Sequence, residues 1–222
     1  LRNNTKVNLK ASRVQLLQEI VNPVQKRLNL YKLKISLASS QDDLAKSQIS
    51  IPGLQQEIVE KVKDYLYEAT INEKFSLKPH KLLLVRTLFW SIVPLTVILL
   101  MVLNFVDFPF SSIFIGVPGI LFIVFVGIYQ FFAFKKIALS VSEDFLILHS
   151  GLWNRKKRFV EMYKLQSVSL ENPLWYKRRK LVNITFHSAG GDINFPLISK
   201  TQAIPLVNFL IYKIESTEKS WM

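Results

Sequence analysis

The chain has 222 residues and a formal net charge of +13, from 29 Lys and Arg against 16 Asp and Glu. Half of its residues are hydrophobic, and it contains no cysteine. The absence of cysteine excludes disulfide bonds, thiolate metal sites and thiol nucleophiles. The basic charge is compatible with nucleic acid, anionic lipid or acidic proteins as partners.

The first 67 residues share an order of features with the last third of the chain. Three pairs of segments correspond in order: LRNNTKVNLKASRVQLL (1–17) with LWNRKKRFVEMYKLQSV (152–168), Asn22-Pro23 with Asn172-Pro173, and ISIP (49–52) with INFP (193–196). This order predicts an internal repeat, with residues 1–67 as the first unit. The first unit begins at the position matching Leu152, so it lacks counterparts of two strands predicted at 137–151. We therefore expect it to belong to a longer protein.

The middle of the chain is almost free of charge, because Asp107 carries the only charged side chain between Arg86 and Lys135. Residues 87–106 and 108–134 are each long enough to cross a hydrocarbon core, for which about 20 apolar residues suffice. A helix in the core of a soluble domain would carry a polar stripe at helical spacing, and neither segment has one. The sequence predicts two transmembrane helices that form a membrane hairpin.

Basic residues lie at both outer ends of the predicted hairpin. They are Lys78, Lys81 and Arg86 in a juxtamembrane linker at 68–86, and Lys135 and Lys136 after the second span. The turn between the spans has no Lys or Arg. Basic residues near span ends stay on the cytoplasmic side of a membrane. We therefore expect both soluble parts to be cytoplasmic and the turn to face outward.

Residues 135–217, the second unit, predict an antiparallel barrel or bent sheets closed by a C-terminal helix. Alternating apolar residues at 137–151 predict two strands around a Glu143-Asp144 turn. Further strands are predicted in RFVEM, LQSVSLE, LVNITFHS and DINFP, with a turn at Gly190-Gly191. Apolar residues at helical spacing between Ala203 and Ile214 predict the closing helix. In the first unit the corresponding stripe is Leu54, Ile58, Val62 and Tyr65. Residues 218–222 are expected to be a tail.

This arrangement resembles the bacterial PH domain family, including its YdbS- and YdbT-like membrane proteins, in which pleckstrin-homology-like units are attached to pairs of transmembrane helices. The resemblance is carried by the strand Phe145–Leu152, then Lys164-Leu165-Gln166-Ser167-Val168, Asn172-Pro173-Leu174, a basic run, and Ala189-Gly190-Gly191. It implies a fold of a membrane α-helical hairpin plus α+β PH-like domains. Residues 135–217 would be one such domain, and residues 1–67 the C-terminal part of a truncated one. The resemblance also implies the bacterial cytoplasmic membrane as the location.

The residue inventory offers no catalytic, metal-binding or cofactor-binding motif. His80, His149 and His187 stand in no metal-ligand spacing. P-loop, G-x-G-x-x-G and G-x-S-x-G sequences are all missing. We therefore expect no enzyme activity, no cofactor and no metal.

Two basic clusters of the second unit lie close to tryptophans, and we expect each in a loop between strands. One is Arg155, Lys156, Lys157 and Arg158 beside Trp153, and the other is Lys177, Arg178, Arg179 and Lys180 beside Trp175. Tryptophan next to lysine suits the interface between water and lipid headgroups. Each basic residue near an anionic leaflet contributes about 1 kcal/mol. The alternative is that these are solvated basic loops that only enforce topology.

The sequence favours a membrane-anchored PH-like scaffold or binding module, whose cytoplasmic domains contact the anionic inner leaflet or protein partners. The expected partners are the bilayer, anionic headgroups, and a second copy of the chain or a related membrane protein. Nucleic acid is disfavoured because the sequence has no recognition helix or RNP-like strand. The alternative function is a component of a transport or export assembly built from such hairpins. Against it, the spans contain no charged residue that would mark a pathway.

Overall fold

The computed structural model describes residues 11–38, 48–67, 74–104 and 109–217. The strands are β1 (Val14–Val21), β2 (Leu30–Leu37), β3 (Gln48–Gln55), β4 (Phe75–Leu77), β5 (Ala138–Val141), β6 (Phe145–Ser150), β7 (Arg155–Glu161), β8 (Leu165–Glu171), β9 (Leu181–Ser188) and β10 (Ile193–Ser199). The α-helices are α1 (Pro23–Arg27), α2 (Gln56–Leu66), α3 (Leu82–Asn104), α4 (Pro109–Lys135) and α5 (Lys200–Glu215). The predicted tail, the turn at Asp107 and the first ten residues of the predicted repeat lie outside the described part.

The strands form two antiparallel sheets, and the larger one contains strands from both units. Its order is β3-β2-β1-β7-β6-β5-β4, whereas the smaller sheet has the order β10-β9-β8. The units meet where β1 pairs with β7, with Leu17 opposite Phe159 and Val21 opposite Arg155. This pairing covers one edge of the first unit that the sequence left without a partner.

The large sheet is buried on both faces at β6, so it separates two hydrophobic cores. Phe145 and Ile147 face a core shared with β1, β2 and α2. Leu146 and Leu148 face a second core formed with β8, β9, β10 and α5. A continuous apolar run such as FLIL is typical of a strand that is covered on both sides.

One helix of each unit packs against these cores, and each of the two predicted apolar stripes is correct only in part. In α5 the predicted Ala203, Leu206, Val207 and Leu210 are buried and Ile214 packs beside them, whereas the predicted Ile211 is exposed. In α2 the fully buried residue is Val59, with Val62 and Leu66 packed beside it. Of the predicted stripe, Leu54 and Val62 pack against this core, whereas Ile58 and Tyr65 are exposed, so the prediction is wrong for these two. Packing against β2 and β3 turns the helix so that Val59 and Leu66 face the core instead.

The chain leaves the large sheet after β7 through a 3₁₀ turn at Met162–Lys164. Lys164 is only 3% exposed. Its Nζ donates a hydrogen bond of 2.8 Å to the carbonyl oxygen of Val14 and forms an ion pair with Glu161. A buried charge needs such partners, and here one of them belongs to the first unit.

A second contact joins the units at Gly190, in the turn between β9 and β10. A Cβ atom at this position would lie 2.7 Å from the Cβ of Gln15, and 3.3 and 3.4 Å from those of Ser36 and Leu16. The turn of the second unit therefore lies directly on β1 and β2. Glycine is required here because the two backbones approach closely.

Helices α3 and α4 pack against one another and are long and apolar enough to cross a membrane. Gly119 of α4 faces Leu99 of α3 so closely that a Cβ would lie 2.5 Å from Leu99 Cδ1. Only 6% of the most apolar stretch of α3, and none of the corresponding stretch of α4, is buried inside the protein. This much apolar surface, left uncovered by the described part of the chain, is unlike a soluble core helix. α3 begins at Leu82, so Arg86 lies inside it rather than before it.

Candidate functional site

Strand pairing and packing bring three turns to the end of the sheets that carries the helical hairpin. α4 ends at Lys135, and β5 follows it directly. In the next pairs of strands, Ser150 lies opposite Lys156 and Arg155 lies opposite Val21. The turn between β6 and β7 and the turn between β1 and β2 therefore lie at the same end as the start of β5. The turn between β8 and β9 lies at the same end, because it packs on the base of the hairpin. We call this end of the sheets the hairpin end.

The 3₁₀ turn at Leu174–Arg179, between β8 and β9, lies against the base of the hairpin. Tyr176 packs in a small apolar cluster with Leu83 of α3 and Phe134 of α4. The two preceding side chains point away from the protein, since Leu174 is 83% and Trp175 is 90% exposed. The cluster Lys177, Arg178, Arg179 and Lys180 follows, with all four residues exposed. The prediction that this cluster lies between two strands is confirmed.

The other predicted cluster lies on a strand and not in a loop, so that prediction is wrong. Arg155, Lys156, Lys157 and Arg158 form the first four residues of β7. Trp153, in the turn before them, is exposed. The segment forms a strand because β6 and β1 bond to its two edges. Four successive cations give no apolar alternation, so the strand predicted in RFVEM covers only the second half of β7.

The pairing of β1 with both β2 and β7 gathers cations from both units on one sheet face. Gln18 lies opposite both Arg158 and Lys34, and Ile20 lies opposite both Lys156 and Lys32. Directly opposite residues share a face, and neighbouring strands are about 4.8 Å apart. The four cations are half-buried, and none has an ion pair with an acidic side chain of the described residues.

The turn between β1 and β2 contains α1 and forms a cavity with the start of β7. Asn22 caps α1, since its Oδ1 accepts a hydrogen bond of 2.7 Å from the backbone N–H of Gln25. Val24 and Leu28 of this turn are exposed. The cavity measures about 350 Å³ and is lined by Val21, Asn22, Pro23, Lys26, Arg27 and Arg155. Sequence reasoning missed Lys26 and Arg27, although the Asn-Pro pair before them matches the one before the second unit's basic run.

The opposite end of the large sheet carries acidic residues that are paired. Glu143 forms an ion pair with Lys74, and Asp144 forms one of 3.1 Å with Lys213. The hydrogen bond from Lys74, reinforced by its charge, lowers the pKa of the Glu143 carboxyl. The two ends of the molecule therefore differ, because cations without an ion pair among the described residues collect at the hairpin end.

A hydrogen-bonded Ser-His-Asp group on the small sheet also escaped the sequence reasoning. Ser169 Oγ lies 2.9 Å from His187 Nε2, and His187 Nδ1 lies 2.9 Å from Asp192 Oδ1. Diagonal placement on β8 and β9 brings the first two together, which no linear motif reveals. Among the described residues, no group of three or more His, Cys, Asp or Glu could hold a metal ion.

Comparison with known families identifies the relationship of the chain. The family described as Bacterial PH domain matches residues 2–70 and 87–213. The search of curated proteins finds no match to the chain. The matched segments include both units and the hairpin helices, and the resemblance to the bacterial PH domain family is thereby confirmed. The chain belongs to the bacterial PH domain family.

Proposed function

We propose that this protein is a membrane-anchored PH-like binding module whose hairpin end lies on the anionic inner leaflet. In this arrangement α3 and α4 cross the bilayer and both units are cytoplasmic. The length and apolar surface of the two helices support the anchoring. The cations at the hairpin end support the orientation, because basic residues near span ends are retained in the cytoplasm.

The observation that carries the proposal is the position of Leu174 and Trp175. Both side chains are almost fully exposed, while their neighbour Tyr176 packs on the base of the hairpin. Exposure of these two apolar side chains to water does not stabilise the protein, whereas a lipid leaflet beside the hairpin would cover both of them. Full burial of one such side chain contributes about 1.5–3 kcal/mol. The four cations that follow would lie at headgroup level, each adding about 1 kcal/mol near an anionic leaflet.

We propose no catalytic role for Ser169, His187 and Asp192. A catalytic triad needs a site beside the nucleophile that binds substrate, and preorganised donors for the developing charge. His187 and Asp192 are partly open to solvent, and none of the three residues lines the cavity between α1 and β7. The group serves better as a cross-strand polar ladder that fixes the register of β8 and β9.

The proposal is tested by the depth of Leu174 in a bilayer. Because the chain has no cysteine, Leu174→Cys can be labelled alone with an environment-sensitive dye in the 222-residue chain reconstituted in phosphatidylglycerol-containing vesicles. Nitroxide lipids are expected to quench the dye strongly, and an aqueous quencher weakly. Glu143→Cys, at the opposite end of the sheet, is the matched control and should show the reverse. Equal aqueous quenching at both positions would overturn the proposal.

A further inference from the structure

The cavity between α1 and β7 is built by both units and lies at the hairpin end. Its walls come from the end of β1, the capped turn of α1, and Arg155 at the start of β7. Val21 and Arg155 are direct partners in the sheet, which fixes the position of the arginine relative to α1. The cavity is half open to solvent, and its volume of about 350 Å³ lies at the lower end of the range of small-ligand pockets.

The polar lining of this cavity is cationic. Lys26, Arg27 and Arg155 contribute three positive charges, and no acidic residue lines the cavity. None of the three cations forms an ion pair with a described residue. The nearest acid along β1 is Glu19, which is already paired with Lys63 at 2.5 Å. The cavity therefore holds positive charge that the described part of the protein does not neutralise.

The chemistry of these side chains favours an oxyanion, such as a phosphate, over a neutral ligand. Arginine offers a planar fork of donors that binds two phosphate oxygens at once, and lysine adds a point charge. Val24 and Leu28 are exposed on the turn that forms one wall. An apolar rim beside a phosphate-binding cavity suits a ligand with a charged headgroup and an acyl chain.

We propose that this cavity binds a phosphate-bearing anion through Lys26, Arg27 and Arg155, with an anionic phospholipid headgroup as its source. The inference rests on the proposed function, since it needs the hairpin end to lie at the membrane surface. It also goes beyond that function. A flat basic surface attracts any anionic lipid without saturation, whereas a cavity binds one headgroup in a defined place.

The test uses the purified 222-residue chain in a neutral detergent and three probes. These are dioctanoyl phosphatidylglycerol, dioctanoyl phosphatidylcholine and glycerol 3-phosphate, titrated by calorimetry. The variant is Arg27→Gln/Arg155→Gln. The matched control is Lys61→Gln/Lys74→Gln, which removes two exposed cations that lie away from the cavity. If the first variant melts early, Arg27→Lys/Arg155→Lys keeps the charge and removes only the guanidinium forks.

The expected result is saturable binding of phosphatidylglycerol, at least tenfold weaker in Arg27→Gln/Arg155→Gln and less than twofold weaker in the control. The Lys variant should fall between the wild type and the Gln variant. Phosphatidylglycerol binding at least tenfold tighter than glycerol 3-phosphate supports a lipid source. Equal binding of the two overturns the lipid source and leaves the phosphate site. Unchanged binding in the Gln variant, or binding of phosphatidylcholine as tight as phosphatidylglycerol, overturns the proposal.

The failure of this proposal can be separated from failure of the proposed function. The dye at Leu174→Cys reports contact between the hairpin end and the bilayer without involving the cavity. If Arg27→Gln/Arg155→Gln has no effect on lipid binding while the dye remains quenched by nitroxide lipids, only the cavity site is lost. If the dye is also open to the aqueous quencher, both proposals fall.

Discussion

The two units contain the same order of elements but use it in different ways. In each, a strand is followed by a short helical turn after an Asn-Pro pair, two more strands and a helix. In the first unit these strands extend the large sheet at the edge of β7. In the second unit they leave that sheet through the turn at Met162–Lys164 and cover its face. An unpaired strand edge invites association, and here the first unit occupies the edge of β7.

This difference brings similar turns to one end of the molecule. The basic turn of the first unit, with Lys26 and Arg27, lies beside β7, while that of the second unit packs on the hairpin. Neither unit alone would place both turns at the hairpin end. Substitutions at the junction of the units should therefore lower the stability of the whole protein, and most where the altered contact is most deeply buried.

The largest effect is expected at Lys164, whose buried ammonium holds Glu161 and the carbonyl of Val14. Lys164→Met leaves the carboxylate and the carbonyl without their partner, which should lower the free energy of unfolding by about 3 kcal/mol. Urea titration of the chain in detergent measures this loss of unfolding free energy. Lys164→Met/Glu161→Gln removes the stranded charge and should recover part of the loss. A double variant less stable than the single one would contradict this account of the ion pair.

The next effect is expected at Gly190, where the turn of the second unit lies on β1 and β2. Gly190→Val forces its side chain against Gln15 and should cost about 2 kcal/mol through overpacking. Asn194→Val places the same side chain at an exposed position of β10 and is expected to change the stability by less than about 0.5 kcal/mol. Equal melting temperatures for the two variants would mean that the turn does not contact the first unit.

A smaller effect is expected at Lys63 of α2, which pairs with Glu19 of β1 and lies 4.7 Å from the centre of the Phe159 ring on β7. Lys63→Met should cost about 1 kcal/mol, since both charged groups are largely buried. Lys61→Met on the same helix breaks an exposed pair with Glu57, which is worth less than about 0.5 kcal/mol. Thermal melting of both variants checks the difference, and equal losses would count against it.

We expect no hydrolase activity from Ser169, His187 and Asp192, which makes this the smallest of the predicted effects. A fluorophosphonate probe should not label the full chain, and Ser169→Ala should leave the labelling background unchanged. A Ser hydrolase would show labelling that disappears in Ser169→Ala and in His187→Ala. Such a result would contradict the proposal that the protein is not an enzyme.

Local patterns in the sequence predicted those strands, turns and helix faces that depend on residues close together in the chain. The strands β5 and β6, the Gly190-Gly191 turn and most of the buried face of α5 were predicted from short-range spacing of apolar and turn residues. The pairing of β1 with β7 could not be predicted, because it joins residues about 140 positions apart and four of them are cations. For the same reason the cavity was missed, since Arg27 and Arg155 meet only through that pairing. The boundaries of the predicted domains remain predictions.

The pairing of β1 with β7 carries the account, because both the shared basic face and the cavity depend on it. The most direct test is oxidation of Gln18→Cys/Arg158→Cys in the full chain, since these residues lie directly opposite in the sheet and the chain has no other cysteine. We predict a disulfide within one chain, and none in Gln18→Cys/Ser150→Cys, whose positions lie two strands apart. If the first pair forms no disulfide, or forms one only between two chains, the shared sheet is wrong.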